Sequence, residues 1–209
     1  MGPPGSILQL SECGQDFWVL DKLHYKENGT FIDLGAADGI TGSNTFILEK
    51  FYKWQGVCVE PNPMFLKSLC GSRDVSICDL CAFDTSGKVL PFTFARDEMF
   101  YGWNFRAGIS DIIDDMGDDG VQHKVFSITL NDIIELYSLP KDIDYVSMDI
   151  EGSEYSVLSS FDFNKYNVRC FTIEYYDEEQ RQKINELMTA NGYYQEQSMP
   201  TGQEDWYFK

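Results

Sequence analysis

Apolar and polar positions along this chain switch between two periods. Residues 31–34, Phe-Ile-Asp-Leu, are a short β-branched and apolar run that stops at Gly35, which predicts a strand. Residues 43–45, Ser-Asn-Thr, then open a segment whose apolar positions 47, 48, 51 and 52 follow helical spacing, with Ser or Asn as the N-cap. A second strand, 57–60, is stopped by Pro61 and Pro63, and Pro63 suits the first turn of a helix running to Cys70. Residues 75–82 read as a third strand and 88–94 as an added hairpin strand. Strand character returns at 125–130, with a helix starting at Asn131 or Asp132 and running to Tyr137. A strand at 143–150, a helix at 153–161, a strand at 170–174 and a helix at 178–191 follow. Gly192 acts as the C-cap, and a closing strand pair lies at 193–197 and 205–208.

This alternation predicts an α/β fold of the Rossmann-like class, with a mostly parallel central sheet of about seven strands and helices on both faces. Residues 95–124 interrupt it. The segment loses periodicity, gains Gly and Asp, and is long for a loop in a compact domain, which marks it as a binding insertion. Its aromatic residues Phe100, Tyr101, Trp103 and Phe105, with Phe92 and Phe94 before it, suit either core packing or a stacking platform, which Tyr175 and Tyr176 could extend. The first ten residues read as a flexible leader and 11–209 as one domain.

Charge narrows the partners. With 16 Lys and Arg against 34 Asp and Glu, the net charge is −18, which repels phosphate backbones and argues against nucleic acid. The acidic stretch 111–119 reads as a solvated loop before it reads as a metal site. No apolar run approaches a membrane span, and no signal peptide is evident. Six cysteines include one C-x-x-C, Cys78 and Cys81, with neither histidine close by in sequence. Buried reduced thiols in a cytoplasmic protein are therefore expected, not a zinc site.

Four strand ends carry acids: Asp33, Glu60, Asp149 and Glu174. Each alone could cap a helix or pair with a base, but ligands of open α/β sheets bind at the carboxyl ends of the strands, where all four fall. The first strand–turn–helix reads Asp33-Leu-Gly35-Ala-Ala-Asp38-Gly39, which lacks the middle glycine of a dinucleotide fingerprint. Asp33 and Asp38 would repel a pyrophosphate, yet suit a ligand with an ammonium group and a sulfonium centre, such as S-adenosylmethionine. Gly35 and Gly39 would let its backbone come close. Glu60 can accept hydrogen bonds from both ribose hydroxyls, and Ala82 would sit beside the adenine.

These motifs, with Gly14-Gln-Asp16, Ser43-Asn-Thr45, Val59-Glu-Pro-Asn62 and Asp144-Tyr-Val-Ser-Met-Asp-Ile-Glu-Gly-Ser-Glu154, resemble the FkbM family of methyltransferases over nearly the whole chain. Ala37 stands where the family commonly has Asn. The resemblance implies a class I methyltransferase fold. It places Ala36, Asn44 and Pro61 with Asp33, Gly35, Asp38, Gly39, Glu60 and Ala82 around the cofactor. It also implies O-methylation, with a sugar hydroxyl of a glycan as the leading acceptor. A lipid or polyketide hydroxyl is the runner-up, and an inactive cofactor- or glycan-binding module is the rival from another class. An alcohol must lose its proton to attack, so a carboxylate base is needed; Asp149, Glu151 and Glu174 are the candidates, with Glu154 serving either the site or its helix dipole. Asp149 and Glu174 are also the candidate ligands of a magnesium or manganese ion, because clustered carboxylates repel without a cation. The acceptor insertion is read as a mobile lid, with His123 as a reserve base.

Overall fold

The computed structural model describes residues 10–95, 107–112, 120–197 and 202–209. In chain order these form α1 (Gln15–Lys22), β1 (Thr30–Leu34), α2 (Phe46–Tyr52), β2 (Gln55–Val59), α3 (Pro63–Ser72), β3 (Ser76–Cys78), β4 (Cys81–Ala82), β5 (Val89–Ala95), β6 (Ala107–Ile109), β7 (Gly120–Ile128), α4 (Leu130–Leu136), β8 (Asp142–Met148), α5 (Glu154–Ser159), β9 (Asn167–Glu174), α6 (Glu178–Ala190), β10 (Tyr194–Gln195) and β11 (Glu204–Phe208). Seven strands make the main sheet, in the order β10-β11-β9-β8-β1-β2-β3. The run from β3 to β9 is parallel, and β11 enters antiparallel between β9 and β10. Strand order reverses between β1 and β8, so the crevice between their carboxyl ends is the switch point at which such sheets bind ligands.

Side chains at the sheet centre are buried in succession and alternate only in the face they serve. Ile32, Leu34, Val57 and Val59 pack into a core with Ile133 of α4, Leu158 of α5 and Met188 of α6. Their neighbours Phe31 and Cys58 face the other way, toward Val19 of α1, Leu48 of α2 and Leu69 of α3. With both faces covered, β1 and β2 read as apolar runs with no polar stripe. Among the described residues no helix is long and apolar enough to cross a membrane.

The elements that differ from the sequence reading include β6, a strand at Ala107–Ile109 inside the segment read as aperiodic. The single strand expected at 75–82 is two: the chain bends at Asp79 and Leu80, leaving β2 for a second sheet of order β4-β7-β5-β6. Residues 120–124 are not loop but the first half of β7, paired in register with β5 from Ala95↔Gly120 to Val89↔Phe126. The exposed polar side chains of Gln122, His123 and Lys124 hid the strand from a search for apolar alternation. Helix α1 went unanticipated because its N-cap, Gly14, is a left-handed residue whose cap makes no side-chain hydrogen bond. The aromatic residues at 100–105 and the acidic run at 113–119 lie outside the described residues, as does the leader up to residue 9. Phe94 is a core residue of the second sheet.

One buried cation ties the turn after β1 to the helices beneath it. Arg73, at the end of α3, bonds to the Glu49 carboxylate, the Gly39 carbonyl (3.3 Å) and the Thr45 hydroxyl (2.8 Å), and lies 3.9 Å from Asp33. Its side chain is fully buried, so removing it strips Glu49 and Asp33 of their buried counter-charge and leaves them only Lys50 and hydrogen-bond donors. Arg73→Met should cost about 3–5 kcal/mol. Urea unfolding of the single variants and of Arg73→Met/Glu49→Gln checks this: the double variant should lose less than the sum of the singles.

Candidate active site

Two cavities meet at the switch point, sharing Gly35, Ala37, Phe65 and Asp149 in their walls. The larger, about 430 Å³, is lined by Asp33, Ala36, Asp38, Asn44, Ser147 and Glu174, by Gln15 of the Gly-Gln-Asp motif, and by Glu12, Gln203 and Glu204 from outside the expected motifs. The smaller, about 130 Å³, is lined by Glu60, Pro61, Cys81, Ala82, Phe92, Ile109, Ile150 and Glu151, among others. Gly39 lines neither. Its positive φ shapes the turn, and a Cβ there would meet Ser72 and Leu69 of α3, so this glycine lets the turn pack closely on that helix. His123 lies on β7 against Phe94 and lines neither cavity.

The turn after β1 is built from its own polar groups. Asp38 accepts from the backbone of Ile40 and Thr41 and from the Thr41 hydroxyl, all at 2.8 Å, so it folds the turn it was expected to lend to a ligand. Asp33 accepts from the Thr45 hydroxyl at 2.5 Å. Glu60 is buried; its two oxygens accept from the backbone N–H groups of Ala37 (2.9 Å) and Asn62 (2.8 Å), binding the turns after β1 and β2 together. Each oxygen keeps a second lone pair for a hydroxyl. Asn44 donates to Ser147 (2.9 Å), which leaves its Oδ1 buried in the cavity wall without a partner among the described residues. An orphaned acceptor near Asp33 suits an ammonium group.

The four acids do not play one part. Asp149 and Glu174 follow directly on the register pair Met148↔Ile173. Their carboxyls act on each other electrostatically, which favours a proton on Glu174 beside a charged Asp149. Burial and the Asp149 charge push Glu174 far above the usual carboxylate range; burial also raises Asp149, against the stabilising bond from Glu174. A shared proton relieves the repulsion for which a metal ion was expected, and among the described residues no group of three or more His, Cys, Asp or Glu is arranged to hold one. Glu151, in a left-handed conformation at φ 54°, lines the smaller cavity only, and its charge adds to those that raise Glu174. Glu154 is fully buried and accepts from the backbone of Ile150 (2.9 Å) and Gly152 (3.3 Å), which makes it the clasp of the turn after β8.

The sequence matches the methyltransferase FkbM domain over residues 33–194. The chain belongs to the FkbM methyltransferase family. No curated protein sequence matches it. Among solved structures, precorrin-6y C5,15-methyltransferase from Geobacter metallireducens GS-15 is similar with TM-score 0.50 and 11% identity, over 98% of this chain and 93% of that one. The METTL16 methyltransferase domain is similar with TM-score 0.51 and 9% identity, over 91% of this chain and 63% of that chain. Such identities show the fold alone, that of a class I methyltransferase. For this FkbM-family chain that fold implies S-adenosylmethionine as methyl donor, and the buried Asn44 acceptor, the Glu60 lone pairs and the Gly35 turn fit it. Glu12, Gln15 and Glu204 were missed as cavity residues. Only Gln15 had left a signal, in the Gly-Gln-Asp motif; Glu12 and Glu204 reach the cavity through tertiary placement, Glu204 accepting from Gln15 at 2.7 Å.

Burial raises Glu60, Glu154 and Glu204 to about 7, from an ordinary 4.5. The folded state therefore binds protons that the unfolded chain has released between those values, and stability falls as pH rises through the window. Glu49 works outside it, held below its ordinary value by Lys50, the Asp74 backbone and Arg73 against the cost of burial. Thermal melts at constant ionic strength should show Tm falling steadily from pH 5 to pH 8, by an amount equivalent to about 1–3 kcal/mol per group. A Tm that rises over this range contradicts the assignment.

Proposed function

We propose that this FkbM-family methyltransferase transfers the methyl group of S-adenosylmethionine to a hydroxyl, with a sugar of a glycan as the acceptor. The observation that carries the proposal is the Asp149–Glu174 pair on the floor of the larger cavity. When bound, S-adenosylmethionine supplies an electrophilic methyl group on a cationic sulfur. The chain has to hold the acceptor in line with that group and take its proton. Glu174, protonated, donates to Asp149 and steadies it; the free lone pairs of Asp149 accept the acceptor's hydroxyl proton. Burial raises the proton affinity of Asp149 toward the working pH, as a general base requires.

Gly35, Glu60 and Asn44 are the groups we assign to the cofactor, with Asp33 setting the charge behind them. Glutamates and glutamines at the mouth, Glu12, Gln15, Gln203 and Glu204, offer an array of acceptors and amides that suits the many hydroxyls of a sugar and repels phosphate. The six cysteines are unpaired thiols, four of them buried, and a reducing cytoplasm is the compartment we infer for them.

Calorimetry with S-adenosylhomocysteine and mass spectrometry of a glycan panel incubated with labelled cofactor test the reading. Glu60→Ala should weaken cofactor binding by about 1–3 kcal/mol. Asp149→Asn should lower turnover roughly 10²–10⁴-fold while cofactor binding stays nearly normal. Wild-type-like turnover in Asp149→Asn removes it as the base, and absence of cofactor binding by the unmutated protein removes the reading.

A further inference from the structure

The ladder between β8 and β9 stops one residue short of Asp149 and Glu174. Met148↔Ile173 is its last register pair. Beyond that pair the two chains are drawn apart. The Asp149 N–H donates to the Leu34 carbonyl of β1 at 3.0 Å, and the Tyr175 N–H donates to the Gln203 carbonyl beside β11 at 2.9 Å. In the sheet order these two strands lie on opposite flanks of the β9–β8 pair. Repulsion between two neighbouring carboxyls works in the same direction.

Gln180, in the first turn of α6, pulls against this. Its Oε1 accepts from the Tyr176 N–H at 2.7 Å, two positions past Glu174. Its Nε2 donates to the Gly152 carbonyl at 2.7 Å, three positions past Asp149, and to the Glu154 carboxylate at 3.3 Å. Glu154 in turn holds the backbone of Ile150 and Gly152, so one amide grips the turn after β8 directly and through its clasp. The two chains are close there: a Cβ added at Gly152 would lie 3.6 Å from the Tyr176 Cβ. Gln180 also serves the helix start, its own N–H donating to the Asp177 side chain at 2.7 Å. A glutamate at this third helical position reaches back to the preceding backbone as well as a glutamine does. A glutamate has no donors left for a facing turn, whereas the amide has two.

We infer that Gln180 is a positioning residue for the base: its side-chain amide ties the turn after Asp149 to the turn after Glu174 and holds the two carboxyl groups against each other. This rests on the reading of Asp149 as the base and Glu174 as its support. Gln180 itself lies outside the cavity lining and touches neither reactant.

A double-mutant cycle of Asp149→Asn and Glu174→Gln, followed by urea unfolding of the full chain, measures the coupling between the two acids. In a Gln180→Met background that coupling should fall to about half or less. Gln180→Glu keeps the acceptor for Tyr176, so α6 starts normally, yet it loses the donors; the coupling should fall there too. Asp177→Ala is the control: it weakens the helix cap and lowers stability, with the coupling unchanged. Turnover of Gln180→Glu, on an acceptor that the unmutated enzyme methylates, should drop roughly 10–100-fold with S-adenosylhomocysteine binding retained. Equal coupling with and without the Gln180 amide overturns the inference, as does an equal loss in Asp177→Ala, absence of coupling in the unmutated protein, or undiminished turnover in Gln180→Glu. The cycle needs neither cofactor nor acceptor. Its failure is therefore separable from failure of the base reading, which turnover of Asp149→Asn decides.

Discussion

Everything at the site hangs on how closely two backbones pass at the ends of β1 and β8. The Asp149 N–H donates to the Leu34 carbonyl at 3.0 Å, and the N–H groups of Gly35 and Ala36 both reach the Val59 carbonyl of β2. At Gly35, φ is +86°, and any Cβ would fall 1.8 Å from the Asp149 carbonyl oxygen. No side chain fits there, and no rotamer change could make room, because the obstructing atom is backbone. Three strand ends are thus laced into one rim, and the order reversal of the sheet opens the crevice directly above it. A glycine with left-handed backbone is the only residue type that meets both demands.

That rim then has to tolerate its own charge. Asp149 raises the proton affinity of Glu12, Asp33, Glu60, Glu154, Glu174 and Glu204 through space. The fold answers in three ways. A proton is shared where two acids touch, at Asp149 and Glu174. Backbone N–H groups face the acids that hold turns, at Glu60 and Glu154. A single buried guanidinium, that of Arg73, sits behind Asp33 and Glu49. The first of these answers leaves a titratable group at the cavity floor, and the other two hold the surrounding turns still.

The main sheet was readable in the sequence because its central strands are buried on both faces and end in Gly, Pro or acid, the residues that punctuate parallel strands. The strand-end rule likewise placed Asp33, Glu60, Asp149 and Glu174 on one rim, and all four line the cavities there. It could not tell their roles apart, since roles depend on partners far away in the chain: Thr45 and Arg73 for Asp33, the backbone of Ala37 for Glu60, each other for Asp149 and Glu174. The packing of Gly39 on α3 was hidden for the same reason. The second sheet was only half visible. Residues 89–94 alternate, whereas Gln122, His123 and Lys124 turn polar side chains outward on a strand whose register only β5 reveals. The larger cavity's mouth was the least legible part, because Glu12 and Glu204 belong to no local pattern.

The Gln15–Glu204 bond spans 189 positions in the chain, and β11 fits between β9 and β10 instead of adding at an edge. A ribosome delivers α1 early and β11 late. Until residues 204–208 emerge, the flank of β9 and the apolar surfaces awaiting Trp206 and Tyr207 have no cover, and the mouth of the larger cavity lacks one wall. The nascent polypeptide therefore passes through a long interval in which most of its sheet can form but its ligand chamber cannot close, an interval suited to chaperone capture and exposed to strand-edge aggregation.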